Sequence, residues 1–262
     1  MNKIISILMI NFMIFFIGIN HISAAPIQSV NGDEINNTKI QISNLLEKTA
    51  KIFLEKIKNE YLNFKAEDEI KTGQKNLQGK KIVIDPGHGG SNPGAIAYGY
   101  QEADNNLAVS LKLKSLLEKQ GAQVLLTRTE NVNVAKIGSS LREELQARVA
   151  LSQDYDADLF VSIHSNANEN ASIHGAMTFY YDDNSKYLAD FIQDRVIQST
   201  SAADKGIAEG NFYVLKNSTV PAVLVEMGFI TNKSEAEKLN SNRYRDTIAE
   251  GISQGIHDFF KN

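Results

Sequence analysis

Lys81-Ile82-Val83-Ile84-Asp85-Pro86-Gly87-His88-Gly89-Gly90 is the stretch whose reading decides the fold. A short apolar run rich in Ile and Val reads as a buried strand. It stops at a Pro-Gly break, and glycines then flank one histidine. Such a strand brings an imidazole to the carboxyl edge of a sheet, where open α/β sheets hold their ligands. Turn-building glycine explains this stretch equally well when it is taken alone, but two later stretches end in the same manner. Leu159-Phe160-Val161-Ser162-Ile163 leads to His164, and Ala222-Val223-Leu224-Val225 leads to Glu226. If these strands are parallel, His88, His164 and Glu226 share one edge, with Glu102 near it just before the first helix.

Working outward, residues 105–120 carry helical periodicity closed by Gly121, and 123–127 read as a strand. Residues 130–139 have no clear period and read as loop. The pattern then predicts a helix over 141–153, strands over 158–163 and 175–181, and a helix over 185–199. Strands over 212–215 and 222–225 follow, and helices over 234–240 and 244–260 close the chain. This alternation predicts a single three-layer α/β domain over 81–262, a mostly parallel twisted sheet flanked by helices. No internal repeat is visible.

Upstream, residues 1–25 read as an export signal: Lys3, an apolar run from Ile4 to Ile19, and small residues at Ser23-Ala24-Ala25. The run is short for a spanning helix, so no stable membrane span is expected after cleavage. The expected location is extracytoplasmic, in the periplasm or secreted to the cell wall; an uncleaved anchor is the alternative. Residues 26–80 hold a polar lead-in, an amphipathic helix over 39–66 and a linker from Glu67 to Lys80. That helix is a packed or spacer element on one reading, and a regulatory, partner-binding one on the other.

The 262 residues are 42% hydrophobic and 22% charged, as in an ordinary globular domain, and the net charge is only -4. With no basic block, nucleic acid is not an expected partner. Cysteine is absent, so any metal must be held by His, Asp or Glu.

Two imidazoles and one carboxylate form the ligand set of a hydrolytic zinc site that keeps a fourth position open for water. A second carboxylate can carry the water's proton to a leaving nitrogen. Glu102 and Glu226 supply the two carboxylates, and the residues alone leave open which is the ligand. Each residue also has a structural reading. A histidine at a strand end is often a hydrogen-bonded framework residue, and Glu102 suits a helix start. Glu226 resists that treatment, because a carboxylate after buried apolar residues is costly unless paired or functional. His174 and His257 read as structural or surface residues.

Asp85-Pro86-Gly87-His88-Gly89-Gly90, Gly94-Ala95, Glu102, Thr127-Arg128, Ser162-Ile163-His164-Ser165-Asn166 and Pro221 through Phe229 together resemble the zinc-dependent N-acetylmuramoyl-L-alanine amidase family, type 3. The resemblance implies that His88, Glu102 and His164 bind Zn2+ and that Glu226 is the catalytic carboxylate. It implies cleavage of the amide joining N-acetylmuramic acid to L-alanine in peptidoglycan. Departures are Asn92 where Asp is common, Ala103 where Lys is common and Ser165 where Ala is usual; none removes a ligand. Asn166 and Arg128 shape the site on this reading without a catalytic role. Some similar proteins carry an inserted plug helix. Here 181–206 hold one helical stretch, so no plug is expected, and the 39–66 helix is the remaining candidate for control. A peptidoglycan endopeptidase and an inactive wall-associated metal-binding protein are the alternatives. A metal-free glycosidase using Glu102 and Glu226 would leave both histidines without a purpose.

Overall fold

The computed structural model describes residues 77–261 and scattered helical residues between 41 and 55. The export segment, the lead-in, the rest of the 39–66 helix and most of the linker lie outside the described residues. The chain divides into two units, Met1–Lys71 and Thr72–Asn262, and the second carries the sheet. Among the described residues, no helix is long and apolar enough to cross a membrane.

The elements of the second unit run β1 (Lys81–Pro86), β2 (Ile96–Ala97), β3 (Tyr100–Gln101), α1 (Glu102–Lys119), β4 (Gln123–Leu126), α2 (Leu141–Asp154) and β5 (Leu159–Asn166). They continue with β6 (Ala176–Tyr180), α3 (Asp183–Thr200), β7 (Asp204–Glu209), α4 (Tyr213–Lys216), β8 (Ala222–Phe229), α5 (Lys233–Leu239) and α6 (Asn242–Lys261). Six strands form one sheet in the order β4-β1-β5-β8-β6-β7. β4, β1, β5 and β8 are mutually parallel, and β6 joins β8 antiparallel. The parallel centre is buried on both faces, which explains why its strands read as unbroken apolar runs. Ile82, Ile84, Val161, Ile163, Val223 and Val225 face a core shared with Leu113, Ile192 and Ile252 of α1, α3 and α6. Val83, Phe160 and Leu224 face the opposite layer, with Val149 of α2 and Leu215 of α4. These are the three layers expected from the sequence.

Local signals place the helices. Ser140 caps α2: its Oγ accepts from Glu143 N at 3.3 Å, and Glu143 Oε2 accepts from Ser140 N at 2.7 Å. α6 packs on α3 at close range, because a Cβ on Gly255 would stand only 2.6 Å from Ile192 Cα.

Three readings are corrected, and one strand of the six-stranded sheet is added. Residues 212–215 do not form a strand: Tyr213–Lys216 is the short helix α4, whose Val214 and Leu215 fill the smaller core. So brief an apolar run fits either periodicity. The strand in that part of the chain is β7, a half-exposed sheet edge that needs no apolar run. α1 starts at Glu102 rather than Asn105, so Glu102 is its first residue. Leu77, read as linker, is fully buried in the larger core, and Leu77 N donates to Gln120 O at 3.2 Å. Burying a leucine contributes roughly 1.5–3 kcal/mol, so the folded body starts upstream of β1.

Candidate metal centre

β1 and β5 lie side by side with Pro86 opposite Ile163, so their carboxyl ends deliver His88 and His164 to one place. The His88 backbone is left-handed, with φ 60°. Gly87 has to be glycine, since a Cβ there would fall 2.2 Å from His164 Nε2. α1 brings Glu102 in from the side, and Glu102 N donates to Ala95 O at 2.9 Å.

Glu102 Oε1 lies 2.9 Å from His164 Nδ1 and 3.2 Å from His88 Nε2. It also accepts from Ser165 N at 3.2 Å and Asn106 Nδ2 at 3.4 Å, while Oε2 accepts from Ala95 N at 2.9 Å. The two imidazole rings meet edge-on, 4.9 Å between centroids. Burial alone would raise the Glu102 carboxyl, but hydrogen bonds and charge from His164 and His88 outweigh it and hold the group well below the usual carboxylate range. Burial alone would lower His88; the hydrogen bond and charge of Glu102 and the contact with Asn92 outweigh it and raise the imidazole.

One donor atom each from His88, Glu102 and His164 lie within 4.8 Å of one another. Ligands about 2.0–2.2 Å from a tetrahedral ion stand roughly 3.4 Å apart, close to the 2.9 and 3.2 Å seen here. The cluster could therefore hold a metal ion. The other ring nitrogen of His88, Nδ1, is 3.1 Å from Asn92 Oδ1, a contact that fixes the ring with Nε2 turned to the cluster.

Glu226 stands opposite His164 in the β5–β8 register. It is buried, and its Oε2 has no partner among the described residues. Burial, and then the negative charge of Glu102, push its carboxyl up to about 8. His88, Glu102, His164 and Glu226 thus line one cleft of about 340 Å³. Its other wall carries the apolar side chains Leu141 and Leu145 of α2 and Phe212, Tyr213 and Val214 around α4, beside Glu144 and Arg148. Asn166 also lines the cleft, whereas Arg128 is buried outside its lining. His174 and His257 take no part in it.

A loop from Glu130 to Ser140 runs beside the cleft. Asn131 Oδ1 accepts from Gly90 N at 2.9 Å and Asn133 Oδ1 from Ser91 N at 3.0 Å. Glu144, in the cleft wall, accepts from Asn133 Nδ2, Val134 N and Ala135 N. The base of the loop is thereby fixed, while Ile137 near its end is 88% exposed. In the sequence, Asp85 has no role beyond its place in the first motif, and Arg148 is not singled out. Arg148 Nη1 donates to Asp85 Oδ1 at 2.6 Å and Nη2 to His88 O at 2.7 Å. An acid inside an apolar strand was the available sign for Asp85; nothing marked Arg148 among the charged residues of α2.

Residues 82–258 match the N-acetylmuramoyl-L-alanine amidase family. The chain belongs to that family. The amidase LytC of Bacillus subtilis (strain 168) is 38% identical over 188 residues, which cover 70% of this chain and 36% of LytC. The germination-specific N-acetylmuramoyl-L-alanine amidase of the same organism is 36% identical over 208 residues, 75% of this chain and 86% of that protein. The CwlD amidase from Clostridioides difficile, solved in complex with the GerS lipoprotein, has the same fold: TM-score 0.66, 35% identity, covering 70% of this chain and 98% of CwlD. The resemblance carried by the motifs is therefore confirmed at the level of family and fold. Membership makes this amidase a hydrolase of amide bonds.

Proposed function

We propose that the protein is an extracytoplasmic zinc amidase that hydrolyses the bond between N-acetylmuramic acid and L-alanine in peptidoglycan. One observation carries this reading: the bare Oε2 of Glu226 stands in the same cleft as a compact His-Glu-His donor set. Two imidazoles and a carboxylate suit zinc, with His88, Glu102 and His164 as the ligands. The bound ion would supply Lewis acidity, polarising the scissile carbonyl and making water more acidic.

Glu226 does the proton work. As the carboxylate, Oε2 takes a proton from the attacking water while the new C–O bond forms. It then gives that proton to the alanine nitrogen as the C–N bond breaks, leaving a free amine and the muramic acid carboxyl, whose remaining proton passes to solvent or to the amine. A carboxyl raised toward neutral pH suits both halves of this exchange. The apolar side chains of Leu141, Phe212 and Val214 limit water around the reacting amide.

On this reading residues 1–25 direct export, 26–80 connect, and 81–262 form the catalytic domain, with Leu77 attaching the connector. CwlD assembles with a lipoprotein, and by extension the 39–66 helix of this chain is a candidate contact for a regulatory partner. The test is digestion of purified peptidoglycan, followed by mass spectrometry and zinc analysis. Free L-alanine amines on intact stems and stoichiometric zinc are the expected results; cleavage within the stem would show an endopeptidase instead.

A further inference from the structure

Arg128, which follows β4, is buried, and among the described residues each of its hydrogen bonds ends on a main-chain carbonyl. Nε donates to Pro86 O at 2.9 Å and Nη1 to Glu130 O at 3.0 Å. Nη2 donates to Gly87 O and to Ala103 O, each at 2.9 Å. Gly87 precedes His88, and Ala103 follows Glu102. A single nitrogen therefore ties together the two segments that carry these side chains.

Among the described residues, no carboxylate forms an ion pair with Arg128, although the charges of Asp85 and Asp104 act on it from farther off. Burying an unpaired guanidinium is costly, and one carbonyl could be satisfied by a neutral donor at less expense. What the guanidinium adds is a rigid planar fork that reaches several acceptors at fixed angles. Arg148 makes the contrast plain. It touches Asp85, Pro86 and His88, so it steadies one of the two segments. Arg128 spans both.

We propose that Arg128 is a positioning residue of the metal centre, fixing the spacing of His88 and Glu102 before the ion arrives. This rests on the reading of His88, Glu102 and His164 as metal ligands. A lysine keeps the charge but cannot span three segments. Arg128→Lys should therefore weaken zinc binding about tenfold, and Arg128→Met more, in line with the effect of residues that support metal ligands.

The experiment measures the zinc dissociation constant of the folded, metal-stripped protein by competition with a chromophoric chelator. Gln193→Leu is the control. Gln193 is equally buried, and it and its partners Thr178, Ala176 and Asp204 do not line the cleft, so its loss should lower Tm and leave zinc affinity unchanged. A second measurement uses the wild type alone: in metal-free protein the Arg128 Nε proton should exchange slowly with solvent by NMR. A wild type that binds no zinc removes the metal centre itself. A zinc-binding wild type with an equally tight, folded Arg128→Lys variant overturns the positioning role. So does equal weakening by Gln193→Leu. If neither Arg128 variant folds, the NMR measurement decides, and rapid exchange of that proton overturns the proposal.

Discussion

Glu102 lies among donors, with two imidazoles, two backbone amides and Asn106 directed at its oxygens, whereas Glu226, in the same cleft, keeps one oxygen bare. The amino acid and the burial are alike; the surroundings are not. The first environment stabilises a permanent anion, as a ligand requires. The second leaves a carboxyl that gains and loses its proton near neutral pH. On the proposed function, position in the fold, rather than residue type, separates a ligand from a proton carrier.

The largest effect that could break this contrast comes from Glu102→Ala. Zinc affinity and turnover should disappear together, as measured by metal analysis and peptidoglycan hydrolysis. Glu226→Gln should lower turnover by roughly 10²–10⁴-fold, the usual worth of a general acid-base group, and leave bound zinc unchanged. A Gln variant that hydrolyses cell wall at the normal rate would remove the proton-carrier assignment.

The contrast also has a pH signature in metal-free protein. The Glu226 carboxyl is raised from 4.5 to about 8, so between those values the folded state retains a proton that the unfolded chain has lost. Stability should then fall as pH rises across that window, and Glu226→Gln should flatten the slope in urea denaturation. Glu102 is shifted the other way, so its contribution is present above about pH 4.5 and lost on acidification. The smallest effect sharpens the ligand side. Asn92→Ala frees His88 Nδ1 and should weaken zinc binding about tenfold by chelator competition.

The four cleft residues could be read from the sequence because each follows a run of buried β-branched residues or opens a helix. Such boundaries are marked by composition. The supports were much less legible. Arg128 and Arg148 bind mainly to carbonyl oxygens, which every residue carries, so no side-chain pattern identifies their partners. The close approach of α6 to α3 depends on two glycines inside a helix, and glycine there looks like a simple loss of propensity. β7 was hidden by its exposure, and Leu77 by its isolation in a polar stretch. What the sequence expresses through side-chain periodicity was readable; what it expresses through the main chain became visible only after folding.

The loop beside the cleft offers a practical handle. Its base is secured by Asn131, Asn133 and Glu144, while Ile137 projects into solvent. Because the chain has no native thiol, Ile137→Cys would give a fluorophore a unique attachment point. A dye there should report on glycan strands approaching from outside while leaving the buried chemistry undisturbed.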